Sequence, residues 1–159
     1  MPLVVDASNV LHVIGVLPPE LAGPDELGLA ELVARSRWRS DRVLLVCDGG
    51  EAGDRTPYPS LEVIIRHCGA ESADSAIVQE IERSSFARRI TVVTNDRGLM
   101  NRVRPFGCRT MSSDRFLEAL ARDATMRRDR PSSREPRQRL PGTADEWLRE
   151  FGFDPPASH

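Results

Sequence analysis

Apolar positions along this chain fall into short continuous runs separated by amphipathic segments. LVV (3–5), RVLLVC (42–47), LEVIIRH (61–67), RITVVT (89–94) and GCRTM (107–111) have the length and composition of strands. Between them the spacing changes to that of helices. A short helix is predicted from Ser8 to Val16, closed by Leu17-Pro18-Pro19, and a second over 24–38, where Leu27, Ala30, Glu31 and Ala34 recur at helical spacing and Pro24 suits the first turn. A third covers 72–85, with Ala73, Ile77 and Ile81 on one face, and two more cover 96–103 and 113–124. DGGEAGDRTPYPS (48–60) has three glycines and two prolines and reads as a loop. Strand and helix alternate, which predicts an α/β fold with a mostly parallel sheet.

After Ala124 the apolar pattern disappears. Residues 125–142 read as a flexible basic Arg/Pro/Ser linker. In 143–159 the pattern returns as a short amphipathic helix: Thr143 and Glu146 have capping-box spacing, and Trp147, Leu148 and Phe151 share a face. So short a helix needs a surface, and is expected to dock in cis or on a protein partner. The expected organisation is a domain over 1–124, a linker over 125–142 and a docking tail over 143–159.

Composition narrows the chemistry. The 159 residues, 40% hydrophobic and 29% charged, suit one globular domain with a tail. All 22 basic residues are arginine, which excludes Walker-type phosphate loops, Schiff-base chemistry and a phosphoacceptor receiver domain, each of which needs a lysine. The net charge of −2 hides a basic stretch, because 121–140 carries seven arginines against three acids. No G-x-G-x-x-G, G-x-S-x-G or H-E-x-x-H pattern occurs. Cys47, Cys68 and Cys108 have no C-x-x-C spacing and read as reduced core or near-core thiols rather than a disulfide framework or zinc site, while His12 and His67 read as structural or surface residues. With no leader-like start and no apolar run of membrane-spanning length, no membrane association is expected and the cytoplasm is the expected compartment.

The recurring chemical feature is an aspartate at strand ends. LVVD closes with Asp6, LLVCD with Asp48 and TVVTND with Asp96, while Asp74 opens the helix in ESADSAI. In an open parallel sheet these positions share one edge, where ligands collect. Each acid could instead be a helix cap or turn residue. Together, however, four carboxylates repel and raise one another's pKa unless a cation compensates. Oxygen donors favour the hard ions Mg²⁺ or Mn²⁺, and one or two such ions could stabilise the attacking and leaving oxygens of a phosphodiester displacement.

VVDASNVL, LLVCDGG, ESADSAI and VVTNDRGL, in that order and followed by GCRTMSSDRF, resemble the NYN domain of the YacP-like ribonucleases, within the PIN-like nuclease superfamily. The resemblance covers residues 2 to about 120. It implies a PIN-like three-layer α/β/α fold with parallel strands in the order 3-2-1-4-5, and metal-dependent endoribonuclease activity. It also implies that Asp6, Asp48, Asp74 and Asp96 are the catalytic and metal-binding acids and that Asn9 is the asparagine of the D-x-x-N element. Three positions depart from the family pattern: Ala7-Ser8 replaces Gly-Tyr, Ser75 replaces a second acid, and Asn95 replaces the serine before Asp96. One tightly held ion is then as compatible as two, and Glu71 and Glu80 are nearby acids that could substitute. Asn9, Arg55 and Arg97 are the candidate RNA contacts at the acidic edge, with Arg35, Arg37, Arg39 and Arg42 clustered at a helix end and Tyr58 suited to base stacking or loop packing. The alternative of another class is an RNA- or ribosome-binding module of the same fold, with catalysis weakened at Ser75 and Asn95.

Overall fold

The structure, a computed structural model, describes residues 1–129. The chain divides into a compact unit, Met1–Arg127, and a second, Arg128–His159. Trp147, Leu148, Phe151 and most of the predicted linker lie outside the described residues.

Six strands form one sheet: β1 (Leu3–Asp6), β2 (Val43–Cys47), β3 (Gly49–Arg55), β4 (Val63–Gly69), β5 (Thr91–Val93) and β6 (Arg109–Met111), ordered β3-β4-β2-β1-β5-β6. The five predicted strands are all present, parallel, and in the expected 3-2-1-4-5 order. β3 is the difference. It runs antiparallel to β4 at the sheet edge, with a register shift between Gly49 and Gly53, where a loop was expected. Its sequence, GGEAGDR, lacks any apolar alternation because nearly every residue is exposed. Two left-handed glycines, Gly49 (φ +72°) and Gly50 (φ +71°), reverse the chain after β2, a conformation that favours glycine. Arg66 of β4 then holds the strand, donating from Nε and Nη2 to Asp54 at 2.8 and 3.0 Å.

Helices cover both faces, giving the three layers expected. On one face, Val10 of α1 (Ala7–His12), Leu29 and Val33 of α2 (Glu26–Ala34), and Phe116, Leu117 and Leu120 of α5 (Ser113–Asp129) pack on Leu3, Val5, Val43, Leu45, Val63 and Ile65. On the other, Ile77 and Ile81 of α3 (Ala73–Arg83) and Leu99 and Val103 of α4 (Arg97–Val103) cover Val4, Leu44, Val46 and Val92. β1 and β2 are buried on both faces, which explains their continuous apolar runs.

Several helical details differ from the sequence pattern: α1 ends at His12 rather than Val16, and α2 ends at Ala34 rather than Trp38. α2 starts later than expected, with Asp25 as N-cap accepting from Gly28 N at 2.7 Å, and Pro24 before it. It buries Leu29, Ala30 and Val33, whereas Leu27 is 47% exposed. α5 passes the expected end at Ala124 and reaches Asp129, although Met126 is exposed, because helix-compatible residues continue after the apolar stripe stops. Asp123 there accepts a bidentate pair from Arg37, at 3.0 Å from Nε and 2.7 Å from Nη2. Arg35 pairs with Glu31, and Tyr58 packs against the core.

The α2 register is directly testable. Leu29→Ala should cost about 2–5 kcal/mol as a core truncation, while Leu27→Ala should stay within about 0.5 kcal/mol as a surface change. Denaturant melts of the two variants would show it, and equal losses would reject the register.

Candidate active site

Because β2, β1 and β5 are adjacent and parallel, their carboxyl ends deliver Asp6, Asp48 and Asp96 to one edge of the sheet. The N-terminus of α3 brings Asp74 to the same edge. Three of the four acids also act as caps. Asp6 is the N-cap of α1, and Asp96 is the N-cap of α4, accepting from Gly98 N at 2.8 Å and Leu99 N at 3.2 Å. Asp48 accepts from Ala73 N, at the start of α3, at 2.7 Å. Asp74 lies in the first turn of α3, whose N-cap is Ser72. Capping and site-building are therefore the same geometry here, since helix N-termini favour the negative charge.

Asp6 is the deepest of the set, at 4% exposure. One oxygen accepts from Asn9 N at 3.3 Å, and the other from the Thr94 hydroxyl at 3.0 Å. Burial pushes its carboxyl up, the two hydrogen bonds oppose that, and the charges of Asp74 and Asp48 push it further up. Burial also raises Asp74, followed by the charge of Asp96 and a hydrogen bond shared with it; Arg102 acts in the other direction and Asp48 adds to the rise. Asp74 and Asp48 thus act on Asp6, and Asp96 and Asp48 act on Asp74. Among the described residues, no three of them bring carboxylate oxygens within 4.8 Å of one another.

A hydroxyl and amide network holds these acids in place. Thr94, fully buried, donates to Asp6 and accepts from Asp96 N at 3.0 Å, joining the ends of β1 and β5. Ser8 Oγ accepts from Asp48 N at 2.9 Å, joining β1 to β2. Asn9 Oδ1 accepts from Asn95 N at 2.9 Å and from Ser113 Oγ at 2.7 Å. Asn95 Oδ1 accepts from Ser113 N at 2.9 Å, and its amide donates to Asp114 at 2.7 Å. Asn9 therefore turns its amide oxygen inward, as a brace between α1, β5 and α5. Thr94, Ser8, Ser113 and Arg102 were not read as site residues from sequence. Ser8 and Thr94 had one sequence signal, their position two residues from Asp6 and Asp96; Arg102, at the end of α4, and Ser113, at the start of α5, had none.

The other candidates are placed as follows. Arg97, exposed, follows Asp96 at the start of α4. Arg55 is not brought to the edge: β3 runs back along β4 and sets it opposite Ile65, partway down the strand. Glu80 accepts from Arg66 at 2.8 Å and Glu71 from Gln79, while the backbone N–H and hydroxyl of Ser75 are bonded to Ser72 Oγ.

The sequence model of the YacP-like NYN domain matches residues 25–150. The chain belongs to that family, which gives it a nuclease-type, RNA-related function. Asp6 and Asn9 lie before the matched segment, and the sheet is what brings them to the later acids. No curated protein matches the chain. Two crystal structures of Rae1 (YacP) from Bacillus subtilis are similar to it. The first is 22% identical over 80% of this chain and 79% of that one, with a TM-score of 0.57. The second, the W164L mutant, is 23% identical over 79% and 80%, with a TM-score of 0.55. At that identity the likeness shows the shared fold.

The repulsion at Asp74 has a pH signature. Below pH 3.8, its ordinary value, the residue is protonated folded or unfolded, and Asp74→Asn should melt with the wild type. As pH rises through the raised folded-state pKa, the wild type loses stability that the variant keeps. Metal-free melts should therefore show an advantage for Asp74→Asn that appears above about pH 4 and levels off toward neutrality. An advantage largest in acid would contradict the assignment.

Proposed function

We propose that the chain is a Mg²⁺- or Mn²⁺-dependent endoribonuclease, with Asp6, Asp48, Asp74 and Asp96 as its catalytic and metal-holding acids. The observation that supports this most is the raised pKa of Asp6 and of Asp74 at the carboxyl edge, where burial and neighbouring carboxylates disfavour their ionised forms. Such an arrangement is destabilising unless it serves to attract positive charge.

The donor set fits a hard divalent cation. All four side chains offer carboxylate oxygens, and their spacing suits an ion that keeps several of its waters and takes only one or two carboxylates directly. When bound, one or two such ions would activate water and neutralise charge developing on the scissile phosphate. The chain's own residues do the positioning. Thr94 and the α1 backbone fix Asp6, Ala73 N fixes Asp48, and the α4 N-terminus fixes Asp96. Arg97 is the arginine best placed to hold a neighbouring RNA phosphate, and Asn9 acts by bracing the edge. Arg55 would meet RNA only along the β3 edge strand. The 125–142 segment serves as a linker to the Trp147, Leu148 and Phe151 face, which docks in cis or on a protein partner, and the cytoplasm is the compartment of action.

Cleavage of structured and single-stranded RNA with Mn²⁺, Mg²⁺ or EDTA tests the reading. Activity should require the metal and fall in Asp6→Asn and Asp96→Asn by more than the roughly 10–100-fold typical of residues that only support a metal site. Wild-type protein should also gain melting temperature in millimolar Mn²⁺. Cleavage in EDTA, or in both variants, would reject the site. RNA binding without cleavage in the wild type would favour the binding-module alternative.

A further inference from the structure

On the opposite side of the sheet from α3 and α4, a second group of ligating atoms comes together. Cys47 ends β2 and belongs to the core under α1, α2 and α5. His67 lies on β4 two residues beyond Ile65, and so faces the same way. Glu26 reaches them from the first turn of α2. Their thiol, imidazole and carboxylate atoms all lie within 4.8 Å of one another, the only such threesome among the described residues. His67 Nε2 is 2.6 Å from Glu26 Oε2, and the Cys47 sulfur lies within 4.8 Å of both side chains' ligating atoms.

We infer that Glu26, Cys47 and His67 form a binding site for a borderline-soft divalent cation of the Zn²⁺ class, separate from the aspartate edge. Sulfur, nitrogen and oxygen donors together select Zn²⁺ or Co²⁺ over Mg²⁺. Zinc bond lengths of about 2.0–2.3 Å place tetrahedral ligand atoms about 3.3–3.6 Å apart. The Glu26–His67 pair must then open by under about 1 Å. Three ligands leave a fourth position, and the half-exposed Glu26 side chain marks where solvent reaches it. The imidazole is also held in place from behind: a Cβ added at Gly50 would lie 2.8 Å from His67 Cδ2, so the backbone of the β2–β3 turn rests against the ring. Binding would release the thiol proton to solvent and would require the imidazole proton on Nδ1, so that Nε2 presents its lone pair to the ion.

Three chain segments far apart in sequence meet at this site: the start of α2, the end of β2 and the β3–β4 edge. A bound ion would therefore tie them together. Asp48 follows Cys47 directly, so occupancy would also stiffen the strand end that carries one of the four acids.

Co²⁺ titration of chelator-treated full-length protein tests the site by absorbance. A thiolate-to-cobalt charge-transfer band should appear at one ion per chain and vanish on adding Zn²⁺. It should be absent in Cys47→Ser, and the Co²⁺ affinity should drop by at least about tenfold in His67→Gln. Because Cys47 is buried and its variant could fold poorly, His67→Gln and Glu26→Gln provide the second reading, with the zinc-induced rise in melting temperature lost in both. Asp74→Asn and Asp96→Asn should retain the band, separating this site from the nuclease acids. No band in the wild type, or one that survives Cys47→Ser and so comes from Cys68 or Cys108, would overturn the inference and leave the three residues as a hydrogen-bonded tether.

Discussion

A buried carboxylate is costly unless its surroundings are built around it, and Asp6 is such a group. It sits at the carboxyl end of the sheet's central strand, with one oxygen on the α1 N-terminus and the other on Thr94. Thr94 in turn holds the backbone of Asp96. Displacing Asp6 would loosen the start of α1, the β1–β5 junction and the placement of Asp96 together. The surrounding network of Ser8, Asn9, Asn95 and Ser113 follows from the same demand, because each polar group brought to the edge needs a partner.

These supports do not neutralise the edge. Hydrogen bonds lower the Asp6 pKa, but burial and two neighbouring carboxylates outweigh them, and Asp74 and Asp96 still face each other. Arg102 is the counter-charge acting on Asp74, and its effect is smaller than that of burial and Asp96. Stability is maintained elsewhere, by the two apolar layers on either face, and the edge is free to carry charge.

Much of the architecture was legible in local patterns. β1 and β2 are apolar throughout because helices cover both their faces, and Ala73, Ile77 and Ile81 marked the buried face of α3. α2 was less legible. In ELGLAELVA two apolar faces compete, and packing against β2 and β4 selected Leu29, Ala30 and Val33 over Leu27. β3 left no pattern at all, since an exposed edge strand made of glycine and charged residues is held by backbone pairing and Arg66 rather than by burial.

The βα alternation, the strand-end aspartates and the absence of lysine could be read along the chain, because strand and helix periods and residue identity are local properties. The sequence also placed three of the four acids on strand ends, from which a parallel sheet must carry them to one edge. That Asp74 meets Asp96, that Thr94 bridges two strands, that Asn9 turns inward and that Arg55 is led away all follow from how the elements pack. The same holds for Glu26, Cys47 and His67, whose meeting depends on three elements packing together and on no spacing along the chain. Contacts between distant segments are set by how whole layers pack, and a linear pattern carries no record of that distance.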